Sequence, residues 1–152
     1  MVDAVQLPHG STGFWSPHAA PPVPVDIRTF KALGYSAAHV LDGRVLEFQP
    51  ATALCNFHRL TLQLPTSDVG VICHALVPMV AFVAVPLSGW WLTFLSRPDL
   101  APSFFPFEAL TAEALNTPVS RADLSQLAKV EHQQIDYWRP DTVGQILFNY
   151  WD

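Results

Sequence analysis

Few residues in this chain carry the means to do chemistry. Cys55, His58, Cys73 and His74 form the one grouping whose side chains match a transition-metal ligand set. A structural zinc needs four such ligands converging at roughly 2.0–2.3 Å, and Cys-x-x-His is an acceptable half of that set in a loop or knuckle. In a strand, however, positions 55 and 58 point to opposite faces, as do 73 and 74. At most two of the four then meet without a bulge. The expectation is two buried cysteines and hydrogen-bonded histidines, with no metal and no cofactor.

A nucleophile would be Cys55 or Cys73, with His39, His58 or His74 as its base. Such a thiol needs partial exposure and an electropositive setting to ionise. Neither cysteine adjoins a helix start, and Arg59 is the nearest cation in sequence. The chain also lacks a G-x-S-x-G elbow, an H-E-x-x-H pair, a phosphate-binding glycine loop and G-x-G-x-x-G. Glu108 and Glu113 lie five apart on an expected short helix, a spacing that fits an exposed helix face better than a carboxylate pair. An enzyme is therefore not expected. The tryptophans say more. A domain of this size cannot fully bury Trp15, Trp90, Trp91, Trp138 and Trp151, and adjacent Trp90 and Trp91 point to opposite sides of a strand. One exposed indole beside a polar rim is a common anchor for a protein partner.

The elements that would position these groups follow from composition and period. The chain has 152 residues, half of them apolar, enough for one core. Only 14% of residues are charged and 14 are proline, so the chain is punctuated by loops and poor in solvated helix surface. From Val69 to Ser96 there are 28 residues without Asp, Glu, Lys or Arg. A membrane helix would need about 20 unbroken apolar residues. Pro78, Pro86 and the β-branched Val69, Val71, Ile72, Val77, Val80, Val83 and Val85 oppose a helix here, and no Lys or Arg cluster flanks the run. Three short strands over about 70–77, 79–85 and 90–95 are predicted instead, apolar at successive positions and so covered on both faces.

Upstream, residues 1–24 hold five prolines and two glycines and read as an irregular arm, with Phe14 and Trp15 as its anchors. Asp26 caps a predicted short helix ending at Gly34. Tyr35 to Leu41 and Arg44 to Gln49 then read as strands joined by an Asp42-Gly43 hairpin turn, and a further strand spans about 53–64. Downstream, a proline-rich loop carries Phe104, Phe105 and Phe107, and a short helix is predicted over 107–115. Ser120 is the expected N-cap of the next helix, whose apolar stripe Leu124, Leu127, Ala128, Ile135 and Trp138 is interrupted by Glu131. Pro140 fits the first turn of a last helix carrying Val143, Ile146, Leu147 and Tyr150 on one face, with Phe148 and Trp151 widening it. The fold class predicted is α+β: an antiparallel sheet of about five to six strands packed on one face by C-terminal helices, with residues 1–24 as an arm and 25–152 as a single domain.

Charge and compartment point the same way. Residues 1–97 balance five acids against five bases, whereas residues 98–152 carry eight acids against Arg121, Lys129 and Arg139, so the net charge of −5 sits in the C-terminal third. Such a surface repels phosphate backbones and attracts a basic protein. Residues 1–24 have neither the basic start nor the apolar core of a secretory leader, and free thiols in the cytoplasm are expected.

The C-terminal stretch also carries a resemblance. Leu115-Asn116-Thr117-Pro118, then Leu124, Leu127, Glu131 and Ile135, then Tyr137-Trp138-Arg139-Pro140 through Val143-Gly144 to Phe148-Asn149-Tyr150-Trp151-Asp152 resembles the ending of small uncharacterised bacterial proteins. The resemblance covers about 40 residues and implies a shared fold in a bacterial cytosolic domain. It carries over no activity and no catalytic residue.

The functional expectation is a small acidic interaction domain of the immunity or antitoxin type, inhibiting a basic protein toxin. Asp123, Asp136, Asp141, Trp90 and Trp91 are its expected partner-binding residues. The alternative is a small-ligand or accessory domain with a pocket between sheet and helices; a small enzyme comes third. No nucleic acid and no membrane partner is expected.

Overall fold

The computed structural model describes residues 5–87 and 91–151. Helix α1 (Ile27–Val40) starts where expected, because the Asp26 carboxylate accepts from the backbone N–H groups of Arg28 and Thr29. It does not stop at Gly34. Phe30, Gly34, Ala37 and Ala38 form one buried face that runs past the glycine, so the predicted strand over 35–41 is helix. A glycine inside a helix costs about 1 kcal/mol relative to alanine. Here it is required, since a Cβ at Gly34 would overlap Leu60 Cδ1 of the sheet beneath. The Asp42-Gly43 pair is the helix stop. Asp42 takes the left-handed conformation (φ 58°), its N–H donates to His39 O, and the Gly43 N–H donates to Ala38 O at 2.7 Å. These two bonds make a Schellman cap where the sequence reads as a hairpin turn.

The main sheet follows in order β2 (Arg44–Gln49), β3 (Phe57–Gln63), β4 (Asp68–His74), β5 (Met79–Val83) and β6 (Phe94–Leu95), each antiparallel to its neighbour. Strand β7 (Glu108–Ala109) joins β5 in parallel, which makes the sheet mixed. The charge-free run supplies β4, β5 and β6, with Pro78 between the first two and Pro86 beyond β5. Strand β6 is shorter than the predicted 90–95, and Ser88, Gly89 and Trp90 lie outside the described residues. Among the described residues no helix is long and apolar enough to cross a membrane.

Period-two alternation divides the core. Leu60, Leu62, Val69, Val71, Cys73, Val80 and Phe82 face α1 and a 3-10 turn at Ala101–Phe104, with Phe30 and Phe104 packed between. Ile72, Ala81 and Val83 face the C-terminal helices α2 (Ala112–Leu115), α3 (Lys129–Trp138) and α4 (Val143–Leu147). The C-terminal helices thus pack on one face of the sheet, and α1 covers the other.

Local rules fare worst in the C-terminal third. The helix expected over 107–115 is β7 followed by one helical turn. Ser120 caps nothing; it lies in a 3-10 turn (Val119–Arg121) that leads into β8 (Ala122–Asp123). Helix α3 begins after Ala128, and α4 begins not at Pro140 but after Thr142, whose hydroxyl accepts from the Gln145 N–H. Residues 148–151 leave the helix altogether, so Tyr150 and Trp151 lie beyond it. The N-terminal arm is docked: β1 (Val5–Gln6) pairs in parallel with β8, and Leu7 is fully buried.

Candidate functional site

Glu131 is the residue around which the site is organised. It lies in the first turn of α3 and is fully buried. Burying a carboxylate is costly unless its oxygens are all engaged. Oε1 accepts from the Thr12 N–H at 3.1 Å and the Thr12 hydroxyl at 2.8 Å; Oε2 accepts from the Gly10 N–H at 3.1 Å and the Ala128 N–H at 2.9 Å. Gly10 reaches this position at φ 95°, where an L side chain would be strained. The interruption in the apolar stripe of α3 is therefore a clasp holding the arm. Phe14 and Trp15, the expected anchors, are half-buried and exposed.

Three more polar side chains complete the knot. Asn56 donates to Leu147 O at 3.0 Å and accepts from the Asn149 N–H at 2.9 Å, while Asn149 donates to Thr12 O and Ile146 O. His74 contacts Ser11 O through Nε2 at 2.7 Å, and its Nδ1 accepts from the Leu76 and Val77 N–H groups at 3.0 and 3.2 Å. That pattern assigns the proton to Nε2 and leaves the ring neutral. Among the described residues no buried side-chain polar atom lacks a partner. Arm, sheet, loop 50–56 and the segment 148–151 are thereby held as one unit.

Burial lowers the His74 pKa from 6.5 to about 4, with Ser11 O and Glu131 acting against the shift. Folding thus favours the neutral ring. Its contribution is complete above pH 6.5 and is lost as the pH falls toward 4, because the unfolded chain binds the extra proton first. Between pH 7.5 and 5 the midpoint of urea unfolding should fall by the equivalent of about 2 kcal/mol from this ring alone. Substitution His74→Asn, whose amide oxygen can replace Nδ1, should flatten that dependence; an unchanged slope would refute the assignment.

The β-pairing divides the cysteine and histidine groups between the two faces of the sheet, with His58 beside Cys73 on one and His74 on the other. Strand register sets His58 opposite Cys73 and Phe57 opposite His74, so the two histidines occupy different faces. His58 Nδ1 accepts from the Ala51 N–H at 2.8 Å, and burial lowers its pKa. The Cys73 thiol is pushed up to about 12 by burial, and burial also raises that of Cys55. Both cysteines are free thiols, and their protonated state opposes nucleophilic use. Among the described residues no three His, Cys, Asp or Glu side chains are grouped to hold a metal ion.

On the outer side of the knot lies a surface cleft of about 670 Å³. Leu54 from loop 50–56, Trp91, Trp138 at the end of α3, and Tyr150 and Trp151 of the terminal segment form its walls. Trp138 and Trp151 stack in parallel with centroids 6.0 Å apart and planes 2° off, and the Trp138 Nε1–H donates to Gln134. Trp91 is 74% exposed and Leu54 59%. Arg139 and Asp141 line the same cleft. Neither side chain has a hydrogen bond or ion pair among the described residues.

Of the expected partner-binding residues, the structure places Trp91 and Asp141 together in this cleft. Asp136 is exposed on α3, two residues before Trp138. Asp123 lies in β8, where it accepts from the Ser125 N–H at 2.9 Å and from Gln6 Nε2 at 3.2 Å. Trp90 falls outside the described residues. The sequence reading missed Glu131, Asn56 and Asn149 as organisers, and Trp138, Tyr150 and Trp151 as cleft walls. A carboxylate inside an apolar stripe, read together with glycines at 10 and 13 that free backbone N–H groups, was the available signal.

Comparison of the chain with protein-family models, with curated proteins and with solved structures returns no match.

Proposed function

We propose that this chain is a protein-binding domain whose recognition surface is the aromatic cleft at the end of α3. The observation that carries the reading is the concentration of exposed or half-exposed Trp91, Trp138, Tyr150 and Trp151 around one cleft, on a rigidly held base. Indoles flanked by polar groups are the side chains that most often dominate binding energy at protein interfaces. The acidic balance of residues 98–152 supports a basic partner, and the finer reading is inhibition of a basic toxin. The alternative ligand pocket between sheet and helices has less support. That space is filled on both faces by the buried side chains of the two core clusters.

The test separates anchor from field. In a complex with the cognate protein, Trp138→Ala should raise the off-rate by 10-fold or more, about 1.4 kcal/mol. Reversing Asp136 and Asp141 to Lys should slow association and flatten its salt dependence. Asp123 is left in place because its carboxylate holds β8 to β1. An unchanged off-rate in Trp138→Ala would remove the cleft from the interface, and an unchanged on-rate in the double reversal would leave the charge asymmetry to solubility.

A further inference from the structure

We propose that the aromatic cleft is a guanidinium receptor, taking an arginine side chain of the basic partner. The inference rests on the protein-binding reading and names what that partner inserts. Three observations favour arginine over a purely apolar plug. The cleft is lined by three indoles and a phenol, and an indole face attracts a cation more strongly than any other aromatic side chain does. Asp141 lies in the same lining with its carboxylate unpaired, and a guanidinium can meet a carboxylate through two parallel N–H donors while lying flat on a ring. Residues 98–152, which supply most of the lining, carry eight acids against three bases, a balance that favours the approach of a cation. One of those acids, Glu131, is internal and fully engaged, which leaves the exposed Asp136 and Asp141 close to the cleft in sequence.

Arg139 is the apparent objection, being a cation in the same lining. Its side chain is also unpaired, and it takes no part in holding Asp141. A receptor with one free carboxylate and one free guanidinium suits a peptide segment, which offers a cation at its side chain and carbonyl oxygens along its backbone. Arg139 donates to the latter while Asp141 receives the former. A lysine would supply the charge without the flat, forked group, and leucine would supply only apolar area.

The full chain can be titrated with N-acetyl-argininamide, N-acetyl-lysinamide and N-acetyl-leucinamide, reading tryptophan fluorescence and the indole N–H signals by NMR. Binding should follow the order arginine, lysine, leucine, with at least a fivefold gap between the first and last. Asp141→Asn should weaken the arginine probe by about tenfold while leaving the thermal midpoint unchanged, since the backbone N–H of Asp141 and its bond to Gln145 are retained. Equal response to leucinamide, no response to any probe at tens of millimolar, or indifference to Asp141→Asn would each overturn the proposal. If a cognate protein depends on Trp138 yet is neither displaced by the arginine probe nor weakened by Asp141→Asn, the guanidinium assignment falls and the protein-binding reading stands. If the arginine probe binds as described but Trp138→Ala leaves the cognate complex unchanged, the protein-binding use of the cleft falls instead.

Discussion

Cutting the chain after Pro140 should abolish folding. The deletion removes Val143, Ile146, Leu147 and Phe148, all of them at most 3% exposed and all part of the cluster beneath the sheet. Fully burying such a side chain is worth roughly 1.5–3 kcal/mol. Four of them together are worth about 6–12 kcal/mol, comparable to the whole 5–15 kcal/mol by which domains are usually stable. The cut also takes Asn149, which donates to Thr12 O, and the carbonyl of Leu147 to which Asn56 donates, so the polar knot opens with the core. The truncated chain should show no cooperative melt and no near-ultraviolet dichroism. A cooperative transition within a few degrees of the full-length midpoint would show that residues 141–151 are an appendage, and the cleft built on them would lose its rigid base.

Much of this was legible in the sequence, and the failures have physical causes. The strands of the charge-free run were readable because uninterrupted β-branched residues with prolines at the breaks leave few other structures. The side-chain alternation of Leu54, Leu60, Leu62 and Leu64 was equally open, and the last three are buried; Leu54 is exposed, because the strand expected over 53–64 begins only at Phe57. Gly34 misled because local propensity treats glycine as a stop. The actual determinant is a contact with Leu60, 26 positions away, and only a bare Cα lets the helix lie that close. Asp42-Gly43 misled because the same positive φ serves a hairpin turn and a helix cap; the preceding seven residues decide which, and taken alone they fit a strand as well as a helix.

The candidate site was less accessible for a related reason. Its elements meet only in three dimensions. Trp138 and Trp151 stack across 13 positions, and Leu54 and Trp91 come to the same cleft from the β2–β3 and β5–β6 connections. No periodicity encodes such a meeting. What the sequence did carry was the exposure of one indole of the Trp90–Trp91 pair, without saying which, and the excess of acid in the last third; Trp91 is 74% exposed, and these are the two features on which the functional proposal draws.

Replacement of Glu131 should be the most damaging single change in the polar interior. Glu131→Ala leaves the N–H groups of Gly10, Thr12 and Ala128 and the hydroxyl of Thr12 without an acceptor in a site closed to water. A hydrogen bond to a charged group contributes about 1.5–3 kcal/mol, and an orphaned buried donor adds its own desolvation cost. Even with relaxation of the arm, a loss of about 4 kcal/mol or more is expected in urea unfolding. Glu131→Gln isolates acceptance from volume. Its amide oxygen can keep one pair of donors, but its NH2 group then faces the other pair, so the near-isosteric variant should still lose about 2 kcal/mol. Hydrogen exchange supplies the structural readout, because the amides of Gly10 and Thr12 should lose protection in both variants while those of β3 and β4 keep theirs. The C-terminal segment shares Thr12 with the arm through Asn149, so the loosening should also reach Trp151 and shift the tryptophan emission to the red. If Glu131→Ala costs under 1 kcal/mol and the arm amides stay protected, the arm is held by Leu7 and the β1–β8 pairing, and Glu131 is not the clasp.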